Sequence, residues 1–165
     1  MYTLLIADDE QLERQALRFI IDKQCPEIQI VGEAGDGASV VRTAVEEKPD
    51  VVLMDICMPE MNGLEAAKSI RALLPDTSII MLTAFDEFSY AKEALALGAV
   101  EYLLKPIRPD ELVRTLRLVT SHVAEVKAKR QEEERLRKSV ETAMPYIQMS
   151  FVYDLISGSI TEMEH

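Results

Sequence analysis

Five short apolar runs, each separated from the next by a stretch with helical spacing, constrain the fold open to this chain more than any other feature. The runs are Leu4-Leu5-Ile6, Ile28 to Val31, Val51-Val52-Leu53, Ile79-Ile80-Met81 and Tyr102-Leu103-Leu104. Between them Leu12, Ala16, Leu17 and Ile20 recur at helical spacing, as do Val40, Val41, Ala44 and Val45. Leu64, Ala67, Ile70 and Leu74 repeat the pattern, followed by Phe88, Ala91 and Leu95. Pro49 and Pro75 follow the expected helix ends, and Gly98 stands where a C-terminal cap belongs. Pro109 opens the last helix, where its missing N–H costs nothing. Strict alternation of strand and helix over about 120 residues implies a parallel sheet with helices on both faces.

Four of the five runs end in a reactive group: Asp8-Asp9, Asp55, Thr83 and Lys105. The expected fold is a flavodoxin-like (βα)5 doubly wound sheet with strand order 2-1-3-4-5. In that order strands 1 and 3 are neighbours where the winding reverses, and the strand-end groups converge on the carboxyl edge. Two carboxylates about 4 Å apart repel by roughly 4 kcal/mol at an effective dielectric near 20. Three acids therefore call for a compensating cation. Mg²⁺ suits them, because it accepts a few carboxylates, keeps several waters and shares phosphate oxygens. N-capping of the first helix by Asp8 or Asp9 is the competing reading, and it accounts for one acid but not for the set.

A metal site alone has no use for Lys105, whose ammonium competes with the cation. A transferred phosphoryl group does, since its equatorial oxygens must be met from several sides. Thr83 offers a hydroxyl, and Asp55, between both partners, is the natural nucleophile for an acyl phosphate. Taken alone, Lys105 reads as an ordinary surface lysine. A cis bond to Pro106 would turn the chain and aim it inward.

The remaining numbers narrow the function class. A chain of 165 residues holds one well-buried domain with length to spare. Its formal net charge of −11 argues against gripping DNA or an anionic membrane unaided. No apolar run approaches the roughly 20 residues needed to span a bilayer, and the N-terminus lacks the pattern of a signal peptide. Cys25 and Cys57 fall in different elements without metal-ligand spacing, as expected of reduced thiols in the cytoplasm.

Beyond the last strand the helical pattern outruns the domain. Leu112, Leu116, Val119, Val123 and Val126 keep the spacing of a coiled-coil seam. The seam then meets Arg130, Glu133 and Arg137 and recovers weakly at Val140 and Met144. Glu125 to Glu141 is a mixed-charge run that also reads as a solvated helix surface. Pro145 is expected to break the helix, before a second amphipathic stretch with Ile147, Phe151, Val152, Leu155 and Ile156 on one side. The predicted division is a domain over 1–122 and a helical connector over 123–165, and the apolar seam beyond Leu112 could align two chains as a homodimer.

Over roughly residues 2 to 122 the chain resembles the receiver domain of two-component response regulators. The resemblance is carried by Ala7-Asp8-Asp9-Glu10, by Met54 to Gly63 with its Asp55-Ile56-Cys57-Met58-Pro59, by Leu82-Thr83-Ala84, and by Tyr102-Leu103-Leu104-Lys105-Pro106. It implies that Asp55 accepts phosphate from a partner sensor histidine kinase. It implies also that Asp8, Asp9, Asp55 and the backbone carbonyl of Cys57 hold Mg²⁺, and that Thr83 and Lys105 bind the phosphoryl group. Tyr102 would be the aromatic switch that turns inward once Thr83 is drawn to the phosphate. Phe85 to Ala94, the long last helix and Phe151 to Gly158 are similar to the subgroup with an AraC-type helix-turn-helix output domain. No DNA-reading domain fits into 123–165, so DNA binding is expected only through an output domain outside this chain.

Cys57 and Phe85 lie two residues past Asp55 and Thr83, and neither is an acid or an amide able to orient an attacking water. Slow self-dephosphorylation is the expectation. The resulting reading is a signalling switch for a transcription regulator rather than an enzyme, with no membrane partner. A stand-alone phosphorelay receiver is the alternative. An aspartyl-phosphate phosphatase fits less well, wanting a second acid where Cys57 stands and a nucleophile after the first strand. A flavin carrier fits least, because Asp8 and Asp9 would repel the flavin phosphate.

Overall fold

The computed structural model describes residues 1–84, 88–99 and 101–163. The apolar runs form five strands: β1 (Tyr2–Ala7), β2 (Ile28–Ala34), β3 (Val51–Asp55), β4 (Ser78–Ala84) and β5 (Glu101–Lys105). The helices are α1 (Gln11–Gln24), α2 (Gly37–Glu47), α3 (Gly63–Leu73), α4 (Phe88–Ala96) and α5 (Pro109–Met163). All four strand pairings are parallel, in the order β2-β1-β3-β4-β5. This is the flavodoxin-like topology expected from the alternation, together with a long C-terminal helix.

The runs are continuously apolar because helices cover both faces of the sheet. Side chains alternate between the faces. Leu4, Ile6, Leu53 and Leu82 pack with Leu17 and Ile21 of α1 and with Leu112, Leu116 and Val119 of α5. Leu5, Ala7, Val52, Met54 and Met81 pack on the other side with Val40 and Ala44 of α2 and Leu64, Ala67 and Ile70 of α3. Burial of these residues on folding is the main force that holds the strand ends in place.

Local signals set the helix boundaries. Asp36 caps α2 by accepting from the Ser39 N–H at 2.8 Å, and Asn62 caps α3 by accepting from the Glu65 N–H at 2.9 Å. Gly98 takes a positive φ of 90° just past α4, as a helix-ending residue does. Pro109 is the first residue of α5.

Three expectations need correction. Leu12 and Ala16 do not join the core: Leu12 is 78 % exposed, and the buried stripe of α1 runs through Leu17 and Ile21 instead. The helix is rotated so that Arg14, one turn before Leu17, points toward the sheet edge. Next, Leu112, Leu116, Val119 and Val123 are buried against β1, β3, β4 and β5, so this part of the apparent seam is used within the chain. Finally, α5 runs through Pro145. Proline cannot donate to the carbonyl of Glu141, but both residues are exposed, so water can take the acceptor and the helix need not end.

The chain divides into two units, the first spanning Met1–Val123 and the second beginning at Ala124. Every residue from Ala124 to Tyr146 is exposed.

Candidate functional site

The winding of the sheet assembles the site. β1 lies between β2 and β3, so Asp8, just past β1, adjoins Asp55, the last residue of β3. Across β3 and β4, Asp55 stands opposite Leu82, next to Thr83, and Ala84 of β4 stands opposite Lys105 of β5. Carboxylate oxygens of Asp8, Asp9 and Asp55 all lie within 4.8 Å of one another. Asp8 and Asp55 are buried, and Asp9 is exposed.

Lys105 reaches into this cluster. Its Nζ donates to Asp8 Oδ2 at 2.9 Å and lies 3.5 Å from Asp55 Oδ2. The Lys105–Pro106 peptide is cis. The other Asp8 oxygen, Oδ1, accepts from the N–H of Glu10 at 2.9 Å. Glu10 itself is the N-cap residue of α1 and makes no side-chain capping bond. Asp8 therefore serves the turn before α1 without capping that helix, and one of its oxygens is left to the lysine.

One ammonium does not balance three acids. Burial pushes the Asp55 carboxyl up from its ordinary value to about 7; Lys105 opposes this, Asp8 and Asp9 add to it, and a hydrogen bond from the Cys57 N–H offsets part. Burial works against the Lys105 charge as well, but the Asp8 hydrogen bond and the charges of Asp55, Asp8 and Glu13 outweigh it. The Lys105 pKa stands above the ordinary lysine value. The centre is short of positive charge, its donors are all oxygen, and two of the three are buried. Those properties fit a small hard divalent cation such as Mg²⁺, held by Asp8, Asp9 and Asp55.

The other expected residues take these places. Thr83 is fully buried, and its hydroxyl donates to the Ala84 carbonyl at 3.3 Å. Cys57 is exposed in the loop after β3, with its N–H directed to Asp55. Tyr102 is half-buried on β5, opposite Met81, and packs on the α3 side of the sheet. Phe85 lies outside the described residues.

Two supporting residues carried no signal in the spacing of apolar positions. Gly63 opens α3 against the backbone of Asp55: a Cβ there would lie 2.1 Å from the Asp55 carbonyl oxygen, which no side chain permits. Its N–H also donates to the Ile56 carbonyl at 2.8 Å, fixing the loop that contains Cys57. Arg14 of α1 donates from Nη1 to the Asp8 carbonyl at 2.6 Å. Only the face of α1 turned to the sheet reveals it.

Residues 4–117 match the family described as the response regulator receiver domain. The chain is 46 % identical over 112 residues to the uncharacterized transcriptional regulatory protein YxjL of Bacillus subtilis, covering 68 % of this chain and 51 % of that protein. Among solved structures, a two-component transcriptional regulator AraC from Clostridium phytofermentans aligns with a TM-score of 0.70 at 31 % identity, over 78 % of this chain and 99 % of that one. A DNA-binding response regulator of the LuxR family from Staphylococcus aureus aligns with a TM-score of 0.68 at 31 % identity, over 72 % and 98 %. The chain spans about half the length of the curated relatives it matches first.

Proposed function

Because this chain belongs to the response regulator receiver domain family, we propose that it is a phosphorylation-driven switch in which Asp55 accepts a phosphoryl group from a sensor histidine kinase. The observation that carries this reading is Lys105 Nζ standing 2.9 Å from Asp8 and 3.5 Å from Asp55 beside a third acid. That is one nucleophile, one cationic group for phosphoryl oxygens and a carboxylate set for a metal, all at one strand edge.

In the proposed step an Asp55 carboxylate oxygen attacks phosphorus in line. The P–O bond forms as the P–N bond to the kinase histidine breaks, and the electron pair leaves with the imidazole nitrogen. Lys105 and the Thr83 hydroxyl meet the equatorial oxygens of the transferred group. Asp8, Asp9, Asp55 and the Cys57 carbonyl would hold a divalent cation, which would supply positive charge to the phosphoryl oxygens and the crowded acids. Drawing the Thr83 hydroxyl from Ala84 to the phosphoryl group vacates space that Tyr102 enters, which reshapes the surface of α4, β5 and α5. Cys57 offers neither acid nor amide to activate water, so the acyl phosphate is long-lived.

The domain layout we propose is a receiver over 1–122 and a connector over 123–165, leading to an AraC-type DNA-binding output domain that this chain does not include. The motifs of the C-terminal segment support that choice; the receiver itself is similar at equal identity to the AraC regulator of Clostridium phytofermentans and to the LuxR-family one of Staphylococcus aureus. Homodimerisation driven by α5 falls to its exposed apolar residues, Leu118 and those from Val126 onward, since the seam positions Leu112, Leu116, Val119 and Val123 are buried. No helix among the described residues is long and apolar enough to cross a membrane. We place the protein in the cytoplasm.

The test is intact mass after incubation with acetyl phosphate and Mg²⁺. One added phosphoryl group on the native chain, and none on Asp55→Asn, is expected; equal labelling of both would refute the assignment.

A further inference from the structure

The face of α1 turned to the sheet carries Leu17 and Ile21, and one turn nearer the helix start it carries Arg14. A guanidinium placed there is costly to desolvate unless its donors are used. Arg14 spends Nη1 on the main-chain carbonyl of Asp8 at 2.6 Å, whereas its Nε is buried without a hydrogen-bond partner, 3.9 Å from Glu33 Oε2 at the end of β2. Glu33 is held from its other oxygen by Arg18 Nε at 2.9 Å. The Asp8 N–H donates to Ala34 at 3.0 Å. Asp8 is thus anchored through both main-chain groups before its side chain is considered.

We propose that Arg14 is a positioning residue for the acidic centre. Its bond to the Asp8 carbonyl sets the peptide from which the Asp8 and Asp9 side chains depart, and so sets the affinity for a divalent cation. This rests on the metal-binding reading given above. The opposite sign is expected of charge alone: a guanidinium near a cation site repels the cation, so removing it should tighten binding. Loss of orientation weakens binding instead, and outer partners of metal ligands commonly account for about 10–100-fold in affinity.

The experiment is a Mg²⁺ titration of the 165-residue chain followed by amide NMR, on wild type, Arg14→Met and Arg14→Lys, with urea unfolding of each in the absence of metal. The Asp9 and Glu10 amides report the dissociation constant, and the spectrum reports that the variant is folded. Arg14→Met is expected to bind Mg²⁺ about tenfold more weakly. Arg14→Lys keeps the charge without the planar fork and is expected to lose about threefold. A merely structural Arg14 would lower the urea midpoint and leave the affinity of the folded protein alone. Unchanged or tighter binding in Arg14→Met overturns the proposal. Should that variant not fold, wild-type affinity in Arg14→Lys overturns it equally. Wild type that binds no Mg²⁺ removes the metal reading and this inference together, whereas binding that is equal in all three proteins removes the inference alone.

Discussion

Two stretches of this chain are dense in charge and use it in opposite ways. At the carboxyl edge of the sheet, Asp8 and Asp55 are buried with Lys105 reaching between them. In α5, Glu125 to Glu141 also mixes acids and bases, but on a surface open to water throughout. There the Glu132–Arg135 pair is as short as the buried one, 2.9 Å, with side chains 55 % and 75 % exposed. Solvent and salt screen that pair, whereas burial amplifies every charge at the sheet edge. Proximity is the same; the dielectric surroundings are not. The apolar residues of α5 divide likewise, with Leu116 fully buried and Leu136 56 % exposed.

The sharpest way to break this contrast is to truncate one leucine on each side of it. Leu116→Ala should cost about 3 kcal/mol in urea denaturation, as a large-to-small change in a packed core does. Leu136→Ala should cost less than about 0.5 kcal/mol. A similar loss at both would mean that the second part of α5 is covered in solution, as pairing of two chains would do.

The next effect is electrostatic and depends on pH. Folding raises the Asp55 pKa from 3.8 to about 7, so the folded carboxyl keeps a proton that the unfolded chain has released. The stability this group contributes is fully present below pH 3.8 and is lost as pH rises through about 7. Above that, in EDTA, Asp55→Asn should be more stable than wild type by about 2–3 kcal/mol, less than the full shift because the amide also gives up the Lys105 charge. Near pH 4 the two proteins should converge. Parallel stability curves from pH 4 to 8 would count against a buried, charge-crowded Asp55.

Smaller again is the response to metal. At pH 8 and tenfold excess over its dissociation constant, Mg²⁺ should stabilise wild type by about 1.4 kcal/mol. Asp8→Asn should lose most of that gain in the same thermal unfolding assay. At the bottom of the scale, Arg135→Gln should change stability by less than about 0.5 kcal/mol, and raised salt should erase the difference.

Much of the carboxyl edge was legible before any coordinates, because strands have period two and parallel winding forces their C-terminal ends together. Asp8, Asp9, Asp55 and Lys105 each follow an apolar run directly, so naming the strands amounted to naming their neighbours. Arg14 was not legible in this way. Reading α1 by its apolar residues set Leu12 and Ala16 on the inner face, yet Leu12 is exposed and Arg14 turns inward to Asp8. A helix stripe read from hydrophobicity fixes the buried side to within a few tens of degrees, and one polar residue with a buried partner falls inside that margin. Gly63 was legible as part of a motif, but its reason, contact with the Asp55 backbone, is a matter of packing.

The linear order of residues settles what depends on local periodicity and connectivity: five parallel strands, their sequence across the sheet, and the acids and lysine at one rim. Packing alone settles which of two equivalent patterns is filled and by what. Leu112 to Val123 and Val126 to Met144 share one spacing along α5, and only the first finds a sheet to cover. The strength of the charge at Asp55 is settled the same way, because its carboxyl gains affinity for a proton through burial beside other acids.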